Sequence, residues 1–166
     1  MSDFEITALV LSEHEGFRRD FAGLEEAEIG DLAAAWDDLA ARLEVHAVAE
    51  ETLFYPVLAH TRDDGAAEGA HAVYDHNEIR HAVAAVSTHE VGSDTWWEAV
   101  RATQHVNADH MAEEEREFIP SFKEGTSDLQ DEAREELGMR WLQFHDDHEH
   151  AQGLSGQDAD PEVVVT

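Results

Sequence analysis

The 166-residue sequence contains no cysteine. Disulfides, thiolate zinc sites, iron–sulfur clusters and cysteine nucleophiles are therefore excluded, and any metal must bind through imidazole or carboxylate groups. Basic residues are also scarce, because 10 lysines and arginines stand against 39 acidic residues, which gives a formal charge of −29. Such a surface repels phosphate backbones and anionic lipid headgroups, so we expect no nucleic-acid partner and no membrane partner.

Two further features are missing from the sequence. It has no uncharged apolar run long enough to span a bilayer, and no basic leader followed by an apolar segment. We therefore expect a cytoplasmic protein. The compositional excess is histidine, with 12 residues, and histidine is the most common metal ligand in proteins.

Apolar residues recur at helical spacing along almost the whole chain, and no segment shows the alternation typical of a strand. Long helices joined by short turns favour an all-α fold, namely an antiparallel up-down four-helix bundle with an additional C-terminal helix packed outside. The predicted helices cover about residues 3–27, 31–60, 66–90, 95–123 and 128–148. We divide the chain into a bundle over 1–125, a fifth helix over 126–150 and a flexible acidic tail over 151–166.

An internal repeat carries the residues of greatest chemical interest. The segment HAVAEETLFYP, which begins at His46, matches HMAEEEREFIP, which begins at His110. Upstream of each segment, one histidine, His14 or His76, is preceded by an acidic residue and followed four residues later by an arginine. Each half of the chain is therefore a helix with one histidine, followed by a helix with the motif H-x-x-x-E.

The spacing of the repeat predicts a buried polar cluster. Residues i and i+4 share one helix face, so each H-x-x-x-E pair can reach one metal region. The four histidines lie near the middles of their predicted helices, which meet at one level in an antiparallel bundle. The residues expected to converge there are His14, His46, Glu50, His76, His110 and Glu114.

A metal centre explains this cluster better than a purely structural polar layer. Burying an ionised carboxylate without compensation costs several kcal/mol. Six ligands exceed the four of a structural zinc site, and they suit two metals about 3.5–4 Å apart that are bridged by carboxylates. Imidazole and carboxylate suit iron, zinc, copper or manganese, and the spacing does not choose among them.

These motifs resemble those of hemerythrin-like proteins, also called HHE cation-binding domains, of the subclass H…HxxxE…H…HxxxE. The resemblance covers about residues 5–122. It implies a bundle with two iron ions and a bridging oxo or hydroxo species, with Glu50 and Glu114 as bridging carboxylates and the histidines as terminal ligands. It also implies binding or reduction of small inorganic ligands such as dioxygen, hydrogen peroxide and nitric oxide.

The sequence departs from the oxygen-carrying hemerythrins in two places. Their third helix carries HxxxH, whose second position is Arg80 here, and their last helix carries HxxxxD instead of HxxxE. One iron therefore has fewer histidines, which disfavours reversible oxygen carriage and favours redox chemistry or sensing. Tyr55 is a candidate for the missing ligand. An ideal helix turns it about 180° away from His46, but the following Pro56 distorts the helix.

The remaining polar residues near the motifs are expected to play lesser parts. Glu51 and Glu115 are rotated about 100° from the ligands that precede them, so we expect them to contact ligands or to face solvent. The other histidines are expected at the surface. Among these, His145, His148 and His150 lie in an acidic segment and are expected to be solvated.

Two main functions follow from the motifs and the resemblance. The first is a di-iron oxidoreductase, either peroxidase- or catalase-like or nitric-oxide-related, with a detoxifying or redox role. The second is a non-catalytic sensor of dioxygen, nitric oxide or iron, or an iron-binding protein, that signals through a partner. A structural zinc bundle is a third interpretation, and no residue pattern identifies an electron donor.

Overall fold

The computed structural model describes residues 5–129 and 131–166, and within them the chain forms helices and loops without any strand. The all-α bundle predicted from the sequence is confirmed. The start predicted for the first helix, at residues 3–4, lies outside the described residues. The bundle helices are α1 (Ile6–Glu26), α2 (Leu32–Ala49), α3 (Tyr55–Thr61), α4 (Gly65–Val86), α5 (Asp94–Glu113) and α6 (Ile119–Gly125).

Two apolar clusters fill the bundle and leave a polar layer between them. Near one end, Phe21, Trp36 and Trp96 belong to a cluster in which each is at most 5% exposed. Near the other end, Phe54 and Phe122 stack with their ring centroids 4.3 Å apart. The helices cross from one cluster to the other, so their middle residues meet in the layer between the clusters.

A π-helical turn separates α2 from α3, and a second one separates α5 from α6, where the sequence predicted continuous α-helices over 31–60 and 95–123. These turns cover Glu50–Phe54 and Glu114–Phe118. The amide of Tyr55 donates to the carbonyl of Glu50, and the amide of Ile119 donates to that of Glu114, each five residues back. A proline follows each turn and removes the amide donor that a regular α-helix would use there.

The C-terminal part of the chain packs on the outside of the bundle. Helix α7 (Asp131–Asp147) lies against α1 and α2, and its Trp141 is completely buried. The segment predicted to be a flexible tail instead lies along α4 and ends in the short α8 (Pro161–Val164). It is held there because the Asn77 side chain donates to the carbonyl of Ala159 and accepts from its amide, both at 2.9 Å. The division into three domains stays a prediction.

Across residues 5–129 and 131–166, no helix is both long and apolar enough to cross a lipid bilayer.

The connection between α3 and α4 depends on a glycine. A β-carbon at Gly65 would overlap the backbone carbonyl of Leu58, whereas one at Gly23, exposed on α1, would meet nothing within 4 Å. We expect Gly65→Ala to lower the free energy of unfolding by about 1–3 kcal/mol through this overlap. The control Gly23→Ala should raise it by about 1 kcal/mol, because alanine favours the helix. Urea unfolding measures both, and a Gly65→Ala variant as stable as the parent would contradict the close contact.

Candidate metal centre

The six side chains predicted from the repeat converge in the polar layer. One histidine comes from each of α1, α2, α4 and α5, and one glutamate begins each π-helical turn. All six residues are at most 5% exposed. The structure therefore brings together all the candidate ligands, which are His14, His46, Glu50, His76, His110 and Glu114.

Each glutamate reaches histidines from two different helices. The carboxylate of Glu50 has one oxygen 3.3 Å from Nε2 of His46 and the other 3.1 Å from Nε2 of His76. Oxygen Oε2 of Glu114 lies 3.3 Å from Nε2 of His14 and 3.4 Å from Nε2 of His110. The two carboxylates thus connect the four imidazoles in pairs, His46 with His76 and His14 with His110.

The cluster divides into two overlapping ligand groups. In each group, the donor atoms lie within 4.8 Å of one another. Glu50 belongs to both groups, which places a carboxylate where it can be shared by two cations. The first group is His14, His46, Glu50 and Glu114, and the second is Glu50, His76 and His110.

The bonding state of these atoms fits a metal. Five of them are buried and have no hydrogen-bond partner among the described residues. They are Nε2 of His14, His46 and His110, Oε1 of Glu50 and Oε2 of Glu114. Buried polar atoms without partners cost about 1–3 kcal/mol each, so folded proteins rarely leave them. A cation that accepts their lone pairs would satisfy all five, and nitrogen–oxygen donor sets of this kind suit iron, manganese or zinc.

The charges of the protein groups favour cation binding at Glu50. Burial raises the pKa of its carboxyl, but the charge of the neighbouring His46 and the hydrogen bond and charge of His76 outweigh burial and hold that pKa well below its usual value. Burial lowers the pKa of His76, but hydrogen bonds to Glu50 and Glu51 raise it to about 9. Among protein groups alone, a proton on imidazole therefore balances the buried carboxylate near neutral pH.

A second set of carboxylates holds the outer nitrogen of every histidine in the cluster. The Nδ1 atoms of His14, His46, His76 and His110 contact Glu115, Glu13, Glu51 and Asp75 at 2.9, 2.7, 3.0 and 3.4 Å, respectively. Such a bond fixes the ring so that Nε2 points inward, and it makes the imidazole a stronger ligand. Sequence analysis anticipated contacts for Glu51 and Glu115. It missed Glu13 and Asp75, although an acidic residue directly before each first histidine was the available signal.

Two arginines hold two of these outer carboxylates. Arg80 donates to both oxygens of Glu51, at 2.9 and 3.0 Å, and it also binds Glu44. In the other half, Arg18 donates to Glu115 at 2.8 Å. Arg80, which occupies the position of the missing histidine, therefore supports the ligand His76 through Glu51.

Tyr55 lies inside the cluster, opposite to what the helical wheel indicated. The π-helical turn absorbs one residue, so Tyr55 stands about 40° from Glu50 around the axis instead of about 140°. Its hydroxyl donates to Glu114 at 2.7 Å and lies 3.1 Å from Glu50 Oε2 and 3.2 Å from Nε2 of His76. Burial and the neighbouring carboxylates raise the pKa of Tyr55 well above its usual value, so the phenol keeps its proton. The corresponding residue of the second half is the apolar Ile119.

The other histidines divide between the surface and one unexpected contact. His81 and His105 have side chains 68% and 76% exposed, as expected. His71 approaches Asp75 and Glu113 at the surface and forms a small, exposed third group with them. The expectation of solvation was wrong for His145, which lies half-buried against Glu13 at 3.1 Å.

An all-α bundle that gathers four imidazoles and two carboxylates at one buried level belongs to the class of metal-binding helical bundles. The model of the hemerythrin HHE cation-binding domain matches residues 5–122, so the chain belongs to that family and is a metal-binding protein. Comparisons with curated proteins and with solved structures found no match. The family match ends before α7 begins.

The two arginines provide a test of the outer carboxylates. Arg80 is 8% exposed, and Arg80→Met leaves Glu51 and Glu44 without their cationic partner, so we expect a loss of about 3 kcal/mol in the free energy of unfolding. Its counterpart Arg18 has a side chain 39% exposed, and Arg18→Met should cost less than about 1 kcal/mol because solvent screens the pair. Urea unfolding of the chelator-treated protein measures both, and equal losses would contradict the difference in burial.

Proposed function

We propose that the chain is a non-haem di-iron protein that binds and reduces small oxygen or nitrogen species, namely hydrogen peroxide, nitric oxide or dioxygen. The observation that carries the proposal is the double ligand group, in which Glu50 is common to two sets of histidines. Two cations sharing a carboxylate are a recurrent arrangement for chemistry on small oxygen-containing molecules. Membership of the hemerythrin family supports iron as the metal.

In this proposal one iron is held by His14 and His46, and the other by His76 and His110. Glu50 and Glu114 would be shared by both irons, which is in keeping with the distances of 3.1–3.4 Å between each carboxylate and histidines of both pairs. Two bound irons with a bridging oxo or hydroxo species would supply Lewis acidity and electrons. Only two histidines serve each iron, which leaves room for a small ligand.

The protein itself supplies a site shielded from solvent and a proton donor. Tyr55 is completely buried, and its hydroxyl proton points at Glu114 within reach of both ligand groups. Reduction of hydrogen peroxide to two molecules of water consumes two electrons, which the two irons would supply, and two protons. The hydroxyl of Tyr55 can deliver one proton at the cluster, and solvent supplies the second proton and the one that restores the phenol. Ile119 offers no proton at the matching position, so the proton-donating side of the cluster is the side of His76.

The ligand assignment predicts the metal content of variants. The wild-type chain should bind two iron ions, and His46→Ala or His110→Ala should lose iron and activity together, because each removes a ligand from a different group. His105→Ala is the control, since that histidine is exposed and far from both groups. Metal analysis after anaerobic loading measures the content. Two irons retained in both ligand variants would contradict the assignment.

The pKa of His76 predicts how metal affinity depends on pH. Because that pKa is raised to about 9, the ring carries a proton at neutral pH that a metal must displace from Nε2. The affinity of the site that contains His76 should therefore rise by about tenfold per pH unit from pH 7 and level off above about 9. Burial lowers the pKa of His46, but Glu50 and Glu13 raise that pKa well above its usual value, so the affinity of the site that contains His46 should rise with pH as well. Titration with Co²⁺ against a competing chelator measures this slope. An affinity independent of pH in that range would contradict the displacement of a proton.

A sensor is the second candidate function, and the contact of α7 with the cluster favours it. Trp141 and His145 both touch Glu13, which in turn touches His46, so a change at the metals has a route to the surface. The iron-loaded protein mixed with hydrogen peroxide or nitric oxide distinguishes the two functions. Product formation with multiple turnovers supports the enzyme, whereas a stable visible adduct without product supports the sensor. Purified protein that contains only zinc would support a structural role.

A further inference from the structure

The four outer carboxylates are supported in different ways, although the two halves of the chain repeat each other. Glu51 and Glu115 occupy matching positions, and each is held by an arginine. Glu13 and Asp75 also match, but their supports differ. Glu13 is held by α7, whereas Asp75 is approached by the exposed His71 at 3.9 Å.

Helix α7 encloses Glu13 with two donors. The indole Nε1 of Trp141 donates to Oε1 of Glu13 at 2.7 Å, and Nε2 of His145 donates to Oε2 at 3.1 Å. Oε2 also accepts from Nδ1 of His46 at 2.7 Å. Both carboxylate oxygens are therefore engaged, and the carboxylate cannot rotate without breaking a bond to α7.

The donors on α7 are themselves fixed. Trp141 is completely buried, and its ring meets the ring of His46 edge to face with centroids 5.6 Å apart. His145 donates from Nδ1 to the carbonyl of Trp141 at 2.9 Å, one helical turn back, and this bond orients Nε2 toward Glu13. The indole thus touches the candidate ligand directly and also through the carboxylate.

Without these donors, Glu13 would have an alternative partner in water. Its side chain is 27% exposed, and a cavity of about 430 Å³ opens beside it, bordered by Phe17, Val45 and His145. A carboxylate in that position gains hydration by turning away from His46. The two donors of α7 oppose this rotation.

The matching contact in the other half is longer. Asp75 lies 3.4 Å from Nδ1 of His110, compared with 2.7 Å between Glu13 and His46. The side chain of His71 is 58% exposed, so its contact with Asp75 is open to solvent. His110 is therefore held less firmly than His46.

We propose that α7 is a positioning element of the metal centre. Trp141 and His145 fix Glu13, Glu13 fixes His46, and the metal bound by His14 and His46 is consequently released more slowly than the metal bound by His76 and His110. The inference rests on the proposed binding of two irons. It assigns to a helix outside the family match a role in retaining one of them.

The test follows the release of iron from the full chain. The protein loaded anaerobically with Fe²⁺ is mixed with an excess of a chromogenic iron(II) chelator, and wild type should show two phases of equal amplitude. Trp141→Phe keeps the ring but removes the N–H donor, and His145→Ala removes the second donor. Each should accelerate the slow phase by about tenfold or more and leave the fast phase unchanged, because lost outer partners of metal-ligating histidines typically weaken metal binding 10–100-fold.

Two further variants separate positioning from general loss of structure. His145→Gln keeps an amide donor within reach of Glu13 and should restore most of the slow phase. His148→Ala is the matched control, because that residue lies one turn further along and bonds to the carbonyl of Gln152 instead of Glu13. Trp141→Phe should also shift the visible d–d bands of the Co²⁺-loaded protein, a readout that reports ligand geometry at the metal.

The outcomes are distinct. Slow release at the wild-type rate in both Trp141→Phe and His145→Ala overturns the inference. Equal acceleration of both phases, together with weaker resistance of the chelator-treated protein to urea, also overturns it, because the helix would then serve only global stability. A wild-type chain that binds no iron overturns the proposed function and this inference with it, whereas two bound irons with unchanged variants overturn this inference alone.

Discussion

The burial of Glu50 and Glu114 is the constraint on which the rest of the structure depends. Both carboxylates are fully excluded from solvent, where an uncompensated charge costs several kcal/mol. With increasing distance from the two glutamates, the surrounding side chains alternate between bases and acids. Imidazoles contact the two glutamates, and carboxylates contact the imidazoles. Arginines contact two of those carboxylates, α7 contacts Glu13, and the exposed His71 approaches Asp75. Only the innermost of these contacts are incomplete. Several Nε2 and carboxylate oxygen atoms of the six candidate ligands have no hydrogen-bond partner among the described residues.

The internal repeat gives most residues of the centre a counterpart in the other half of the chain. Two of these pairs of counterparts differ in ways that matter for the proposed function. Tyr55 stands where the other half has Ile119, so a hydroxyl faces the cluster from one side only. Helix α7 covers Glu13 but not Asp75, so one outer carboxylate is enclosed and its counterpart is open. Both features belong to the first half of the repeat, but Tyr55 faces His76, whereas α7 acts on His46 through Glu13. In the proposed function, the first would make the two metals chemically unequal, and the second would make them unequal in how firmly their ligands are held.

Sequence reasoning could predict the bundle and the six converging residues, because both depend on spacing along regular helices. It named Tyr55 as a candidate but could not place it, because a helical wheel assumes a constant rotation per residue and the π-helical turn breaks that assumption. Pro56 was the available signal, but proline alone does not say which way the chain rotates. The contacts of Trp141 and His145 with Glu13 span 128 and 132 residues. No local pattern predicts contacts between residues so far apart in sequence. For the same reason, the sequence did not predict that the acidic tail is held by Asn77.

Each π-helical turn separates two α-helices, α2 from α3 and α5 from α6. The rotation of the second helix about its axis therefore differs from the rotation that a continuous α-helix would give it. In the first half of the chain, α2 and the start of the turn set the direction of His46 and Glu50. The extra residue in the turn changes the rotation of α3 about its axis relative to α2. If the turn were straightened into a regular α-helix with all its residues kept, α3 would rotate by about 100° and move about 1.5 Å further along the axis. Tyr55 would leave the cluster and Leu58 would leave its apolar surroundings, while the motif H-x-x-x-E would keep its spacing. The width of this turn therefore decides which side chain faces the cluster, independently of the six candidate ligands.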